Sequence, residues 1–237
     1  MTKKKIMMAA MSAGLVAVVG IGGTLAYLSS TSNEVTNTFT VGRGYDNTGT
    51  QALVVDEWEL GGTADDRTQV GQAHEDMTPG YVETKDPTVR LKNGSVESYV
   101  FVRVEGVDEL EGITANGIEG TPIQAFDISG WDTDYWMKVA DANGDLLDTP
   151  ALGLEGDGYY VANVGNTVNL EDTTPEGEYT QLNDPIFSTI SMDKDLKEMP
   201  AKNTVAAQEI TVKACAVQYS EDQMSSWADA FESAVWE

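Results

Sequence analysis

The chain of 237 residues has a single histidine, His74 in "QAHEDM", and a single cysteine, Cys215 in "EITVKACAVQY". A zinc-protease helix needs two histidines one turn apart with a glutamate between them, so that both imidazoles reach one metal from one face. The second histidine is missing. A Ser-His-Asp arrangement would want a strained Gly-x-Ser-x-Gly elbow, and no serine sits in one. His74 therefore reads as a loop residue. Cys215 lies in an alternating run and reads as a small strand residue; alone, it excludes an intramolecular disulfide. In "DANGDLLDTPAL", Asp141, Asn143 and Asp145 occupy the first, third and fifth ligand positions of a calcium loop. Leu146 stands where the loop requires Gly, and Leu152 where it requires Glu, so a hairpin turn is the better reading. Weak calcium binding is left open only for clustered carboxylates such as Asp65 with Asp66 or Asp132 with Asp134. No cofactor and no catalytic residue is assigned, and the chain is not expected to be an enzyme.

Charge narrows the partners. Asp and Glu total 39 against 14 Lys and Arg, a formal charge of −25. A surface of that sign repels phosphate backbones and anionic lipid, which argues against nucleic acid. No Gly-rich phosphate loop follows a strand, and no basic patch has interleaved aromatics. The tryptophans are expected in the core, where large amphipathic rings usually go.

The N-terminus has the order of an export signal. Lys3, Lys4 and Lys5 precede an uncharged apolar run, Ile6 to Leu25, that closes on small residues at Thr24 and Ala26. Cleavage is expected between Ala26 and Tyr27, giving a leader of residues 1–26. A run of about 20 apolar residues could instead stay as a membrane anchor. Its Gly, Ala and Ser content, with Gly20, Gly22 and Gly23, weakens it as a spanning helix. Contact with the membrane is therefore expected only through the uncleaved leader. No sortase-type signal or second apolar run closes the chain, so the processed product is expected to be free.

The stretch "GIGGTLAYLSSTSNEVTNTFTVG", Gly20 to Gly42, resembles the leader and first strand of the TasA and camelysin family of Gram-positive bacteria, which the dedicated signal peptidase SipW processes. In that family a Gly-Gly-Thr-x-Ala run precedes the cut, and an Asn-Thr-Phe-Thr-Val-Gly-like strand follows it. "DPTVRLKNGSVESYVFVRVEG" and "EITVKACAVQYSEDQMSSWADAFES" are similar to the clostridial-type, biofilm-matrix members. The middle, from about Gly112 to Met199, matches no motif. The resemblance implies a jelly-roll fold and fibre formation in an extracellular matrix. Camelysin-type members are classed as peptidases, an activity the lone His74 does not support.

The periodicity of the chain asks for strands. Val35, Asn37, Phe39 and Val41 alternate with Thr36, Thr38 and Thr40, the period of a half-buried strand, so residues 27–42 form a candidate donor strand. Ala52–Leu60, Trp131–Ala140, Tyr159–Val164, Ile186–Met192 and Glu209–Tyr219 are further strands by β-branched and aromatic content. Asp86 to Gly106 is expected to be a hairpin turning at Asn93-Gly94. Thr78-Pro79-Gly80 is expected to turn, and Glu171–Glu178 to be a loop. Only the C-terminus looks helical: Ser220 and Gln223 give a capping-box pattern, and Met224, Trp227, Ala228, Phe231 and Val235 repeat at helical spacing. The fold class is thus all-β, a jelly-roll-like β-sandwich over residues 43–237 with a short C-terminal helix at about 221–235.

The function that follows is a secreted structural protein of the extracellular matrix or cell surface. After the cut, the N-terminal strand would be accepted by a neighbouring subunit, giving a homopolymer by strand exchange. A SipW-type signal peptidase and other matrix proteins are the further partners. A monomeric adhesion or ligand-binding module is the alternative, and a camelysin-like peptidase the least favoured one.

Overall fold

The computed structural model describes residues 29–31, 52–59, 66–71, 77–175, 178–200 and 208–236. The leader, Ala26 and Tyr27, His74, Asp65 and the run Val35, Asn37, Phe39 and Val41 lie outside the described residues.

Antiparallel strands dominate. In chain order they are β1 (Ser29–Thr31), β2 (Leu53–Trp58), β3 (Arg67–Thr68), β4 (Val82–Thr84), β5 (Thr88–Lys92) and β6 (Ser98–Glu105). A short helix α1 (Val107–Glu111) follows, then β7 (Thr114–Asn116), β8 (Pro122–Gln124), β9 (Phe126–Ser129), β10 (Met137–Ala140), β11 (Leu146–Leu152) and β12 (Gly158–Val161). After β13 (Tyr179–Gln181), β14 (Thr189–Met192) and β15 (Thr211–Gln218), the chain ends in helix α2 (Trp227–Ser233). The largest sheet has six strands in the order β1-β15-β6-β12-β10-β11. Smaller sheets run β13-β5-β2-β3, β4-β14-β9 and β7-β8.

The sequences of β6 and β15 explain why the large sheet is central. Side chains alternate between sheet faces, yet both strands are apolar on both faces. Val100, Val102 and Val104 of β6, with Val212, Ala214 and Ala216 of β15, enter one core together with Leu53, Val89, Phe126 and Ile190 of the smaller sheets. Tyr99 and Phe101, with Cys215 and Val217, enter a second core on the opposite face, under α2. Facing pairs set large against small, as Phe101 with Cys215 and Val102 with Ala214, so the two strands fill space without clashing. Burying a side chain such as Phe101 contributes about 1.5–3 kcal/mol.

Several sequence expectations need correction. Asp86 to Gly106 is not a hairpin: β5 pairs with β2 and β13, whereas β6 pairs with β15 and β12. The turn at Asn93-Gly94 does form, with Ser95 N–H donating to the Lys92 carbonyl, but it carries the chain from one sheet to another. Asn93 and Gly94 give their N–H groups to Glu178 and Leu170, partners a tight hairpin would not supply. The C-terminal helix starts later than the pattern suggests. Its capping box is Ser226 with Asp229, and Ser220 instead closes a turn with Gln223 and Met224. Trp131 to Trp136 is not strand; Asp132 accepts the N–H groups of Asp134 and Tyr135 and holds a turn before β10. Helix α1, of five residues, is too short to show a period in the sequence. Its start needs Gly106, where a Cβ would come 2.0 Å from the Glu209 carbonyl oxygen, and Asp157 accepts the N–H groups of Gly106 and Val107.

The β10–β11 hairpin forms as its turn chemistry implies. Asp141 accepts from Asn143 and Asp145 N–H, and Gly144 takes the positive φ of 87° that a β-carbon would resist.

Candidate functional site

Strand β1 lies only two residues past the expected cleavage point, and it forms the edge of the large sheet. Ser29, Ser30 and Thr31 pair antiparallel with Val217, Ala216 and Cys215. The other side of β15 is committed to β6 over all eight of its residues. The outer side of β15 is thus where an N-terminal strand docks in this chain. This strand falls within the candidate donor segment 27–42, although the side chains expected to carry it, Val35, Asn37, Phe39 and Val41, lie outside the described residues. Ser29 to Thr31 has no hydrophobic alternation, and edge pairing through the backbone leaves no side-chain signature.

The face of the sheet beside this edge is closed by the C-terminal segment. Phe231 of α2 meets Phe101 and Tyr159 edge-on at centroid distances of 5.6 and 5.4 Å. Trp236 meets Tyr159 at 5.1 Å, and Tyr219 meets Tyr99 at 5.9 Å. Such T-shaped pairs contribute beyond their buried area. Arg103 lies over the ring of the same Tyr159, 5.2 Å from its centroid. Beneath α2, Cys215 is fully buried, and burial pushes its thiol up to about 12, although the Val235 N–H favours the thiolate. The thiol is thereby a packing group and a poor nucleophile.

Charged side chains gather on the small sheet instead. Arg67 of β3 donates through Nε to Asp56 and through Nη1 to Asp86, each at 2.6 Å, and through Nη2 to the backbone carbonyls of both. Asp86 also accepts the Trp58 N–H at 2.6 Å, and Arg90 reaches Asp56 at 3.3 Å. Burial lowers the Arg67 pKa, but hydrogen bonds and charge from Asp56 and Asp86 outweigh it, and the net direction is up. Lys85 and Glu57 form a second buried pair at 2.6 Å. Each of these carboxylates is committed to a cation, so the cluster fastens β2, β3 and β5 together and has no free ligand for chemistry. None of these pairs is visible in the sequence, since partners up to 34 positions apart meet only in the fold.

The carboxylates considered for calcium are placed as follows. Asp132 is buried and accepts from Asn183 as well as from its own turn. Asp141 is held below the usual carboxylate range by the N–H of Asp145 first and by Asn143 and Gly144 beside it. Among the described residues no group of three or more His, Cys, Asp or Glu is arranged to hold a metal. Among them, too, no helix is long and apolar enough to cross a membrane.

No family model, curated protein or solved structure matches this chain. The site therefore rests on its own geometry: a three-residue strand on the outer edge of β15.

Proposed function

We propose that this chain is a secreted structural protein of the extracellular matrix, a jelly-roll-like β-sandwich that assembles into fibres by exchange of its N-terminal strand. The observation that carries the reading is the pairing of Ser29–Thr31 with β15. Three residue pairs make a short edge strand, and short strands at sheet edges are the easiest to release and replace. Main-chain hydrogen bonds supply the affinity, so the same segment from a second copy fits equally well. The connection also allows it. Residues 32–51, twenty in all, separate β1 from Ala52, and extended they span up to about 66–72 Å, enough to reach a neighbour's edge as readily as their own.

The far edge of the sheet is a poorer acceptor. Strand β11 carries Pro150, which has no N–H to donate, and Asp148, which adds charge. Growth through β15 alone would give subunits a direction. Removal of residues 1–26 by a SipW-type signal peptidase frees the strand, which the leader otherwise tethers at the membrane. In this reading the partners are further copies of the chain and other matrix proteins, and the protein has no enzymatic role.

One observation favours the monomeric adhesion or binding module: β1 occupies the edge of its own chain, which closes the sheet without a second copy. Negative-stain microscopy and size exclusion of chains beginning at Tyr27, Asn33 and Gly42 separate the readings. Fibres from the first chain and none from the other two support exchange of Ser29–Thr31. Fibres from the first two and none from the third move the donor to Val35–Val41. Monomers from all three overturn the fibre reading.

A further inference from the structure

Three Asn-Gly pairs occur in the described chain: Asn93-Gly94, Asn116-Gly117 and Asn143-Gly144. Each has the same intrinsic chemistry. The glycine nitrogen, on losing its proton to base, attacks the asparagine side-chain carbonyl and expels ammonia, leaving a five-membered succinimide. Water then opens the ring at either carbonyl, giving aspartate or isoaspartate. Ring closure requires the Asn-Gly peptide to rotate, so the surroundings of each pair decide its rate.

Two of the pairs are clamped by distant segments. Asn93 is buried; its side-chain amide donates to the Pro175 carbonyl and accepts from Thr180, and Gly94 N–H donates to Leu170. Asn116 donates to Glu198, and its backbone carbonyl accepts from Lys197. Its glycine, Gly117, is buried, gives its N–H to Thr121 and lies against Ile123. Rotation at either pair would pull apart segments far away in the chain.

Asn143 differs. It is exposed at the tip of the β10–β11 hairpin, and its side chain makes one long contact of 3.4 Å to Asp141. The Gly144 N–H is held within the same turn, by the Asp141 carbonyl and carboxylate. Gly144 lies beside the Tyr159 ring, but the turn's hydrogen bonds stay within Asp141 to Asp145, so opening it breaks no hydrogen bond to a distant segment and costs far less than opening the other two.

We propose that Asn143 is a selective site of spontaneous deamidation in the folded protein. The product places a new carboxylate between Asp141 and Asp145, and the isoaspartate form adds a backbone methylene to the turn that sets the register of edge strand β11.

The test is to incubate the folded chain from Tyr27 in mildly alkaline buffer and follow the one-dalton mass gain at each pair by peptide mass spectrometry. The same incubation is run in urea. Deamidation at Asn143 is expected to outpace the other two by about tenfold or more when folded, the three rates converging when unfolded. An Asn143→Gln chain should lose the fast phase and keep its fold by circular dichroism. Comparable rates at the three pairs in the folded chain would overturn the proposal. So would an order that persists in urea, because sequence and not structure would then set it.

Discussion

Among the described residues, Val164 has a backbone that fits its side chain poorly. It has φ of 52° beside Asn163 at 50°, a region that asparagine tolerates and β-branched residues resist. Its N–H donates to the Tyr135 carbonyl at 2.9 Å, which holds the conformation. Because the side chain is 45% exposed, burial offsets little of the strain. Val164→Asn is expected to raise stability by about 1 kcal/mol, read as a higher urea midpoint with unchanged slope. A lower midpoint would mean that the valine packs better than its exposure indicates. Arg67 makes the opposite case. Replacing it with methionine leaves Asp56 and Asp86 buried with less counter-charge, and breaking such a pair costs about 3–5 kcal/mol. The urea midpoint of Arg67→Met should fall accordingly, and a midpoint equal to that of the parent chain would show that Arg90 and the Trp58 N–H suffice to hold the two carboxylates.

Among the elements, β15 has the most neighbours to satisfy: β1 at one edge, β6 at the other, and α2 over its second face. Cys215 sits where these meet and reports on them. Its ordinary value of 9.0 is raised to about 12 by burial, so the thiol stays protonated in the fold while the unfolded chain ionises. Stability from this group is complete below about pH 9 and is lost as pH rises towards 12. Thermal unfolding should show the midpoint falling across that range, and Cys215→Ala should flatten the fall; equal slopes would place the alkaline sensitivity elsewhere, for example at Tyr135, whose phenol burial also pushes up to about 12. Elements of this kind were partly legible in the sequence. Strands β2 and β15 and the turn of β10–β11 could be read because β-branched runs and Asp-Ala-Asn-Gly chemistry act locally. Pairing was harder: the Asn93-Gly94 turn looks the same whether β5 and β6 pair with each other or cross between sheets. The choice is made by Glu178 and Leu170, which arrive from far along the chain. The edge position of Ser29–Thr31 left no trace either, since a backbone ladder places no demand on three small hydroxyl residues.

At the scale of the whole molecule the formal charge bears on the proposed assembly. The proposed loss of residues 1–26 would remove Lys3, Lys4 and Lys5, leaving 11 basic against 39 acidic residues and a charge of −28. The strand that would be exchanged is free of this burden: Ser29, Ser30 and Thr31 are uncharged, as are Val217, Ala216 and Cys215 opposite them. Attraction at the β15 edge is therefore short-ranged and insensitive to salt, while repulsion between approaching subunits is long-ranged and screened by it. Raising ionic strength from about 0.01 M to about 0.15 M shortens the Debye length from about 30 Å to about 8 Å, less than the width of two strands with their side chains. Assembly of the chain from Tyr27 should thus have a long lag at low salt and a much shorter one near physiological salt, followed by light scattering with microscopy of the end points. The same chain starting at Gly42 should scatter little at either salt, since screening removes repulsion without providing a strand. Equal lags at both salts would show that release of β1 from its own edge, and not the encounter of two polyanions, is the slow step.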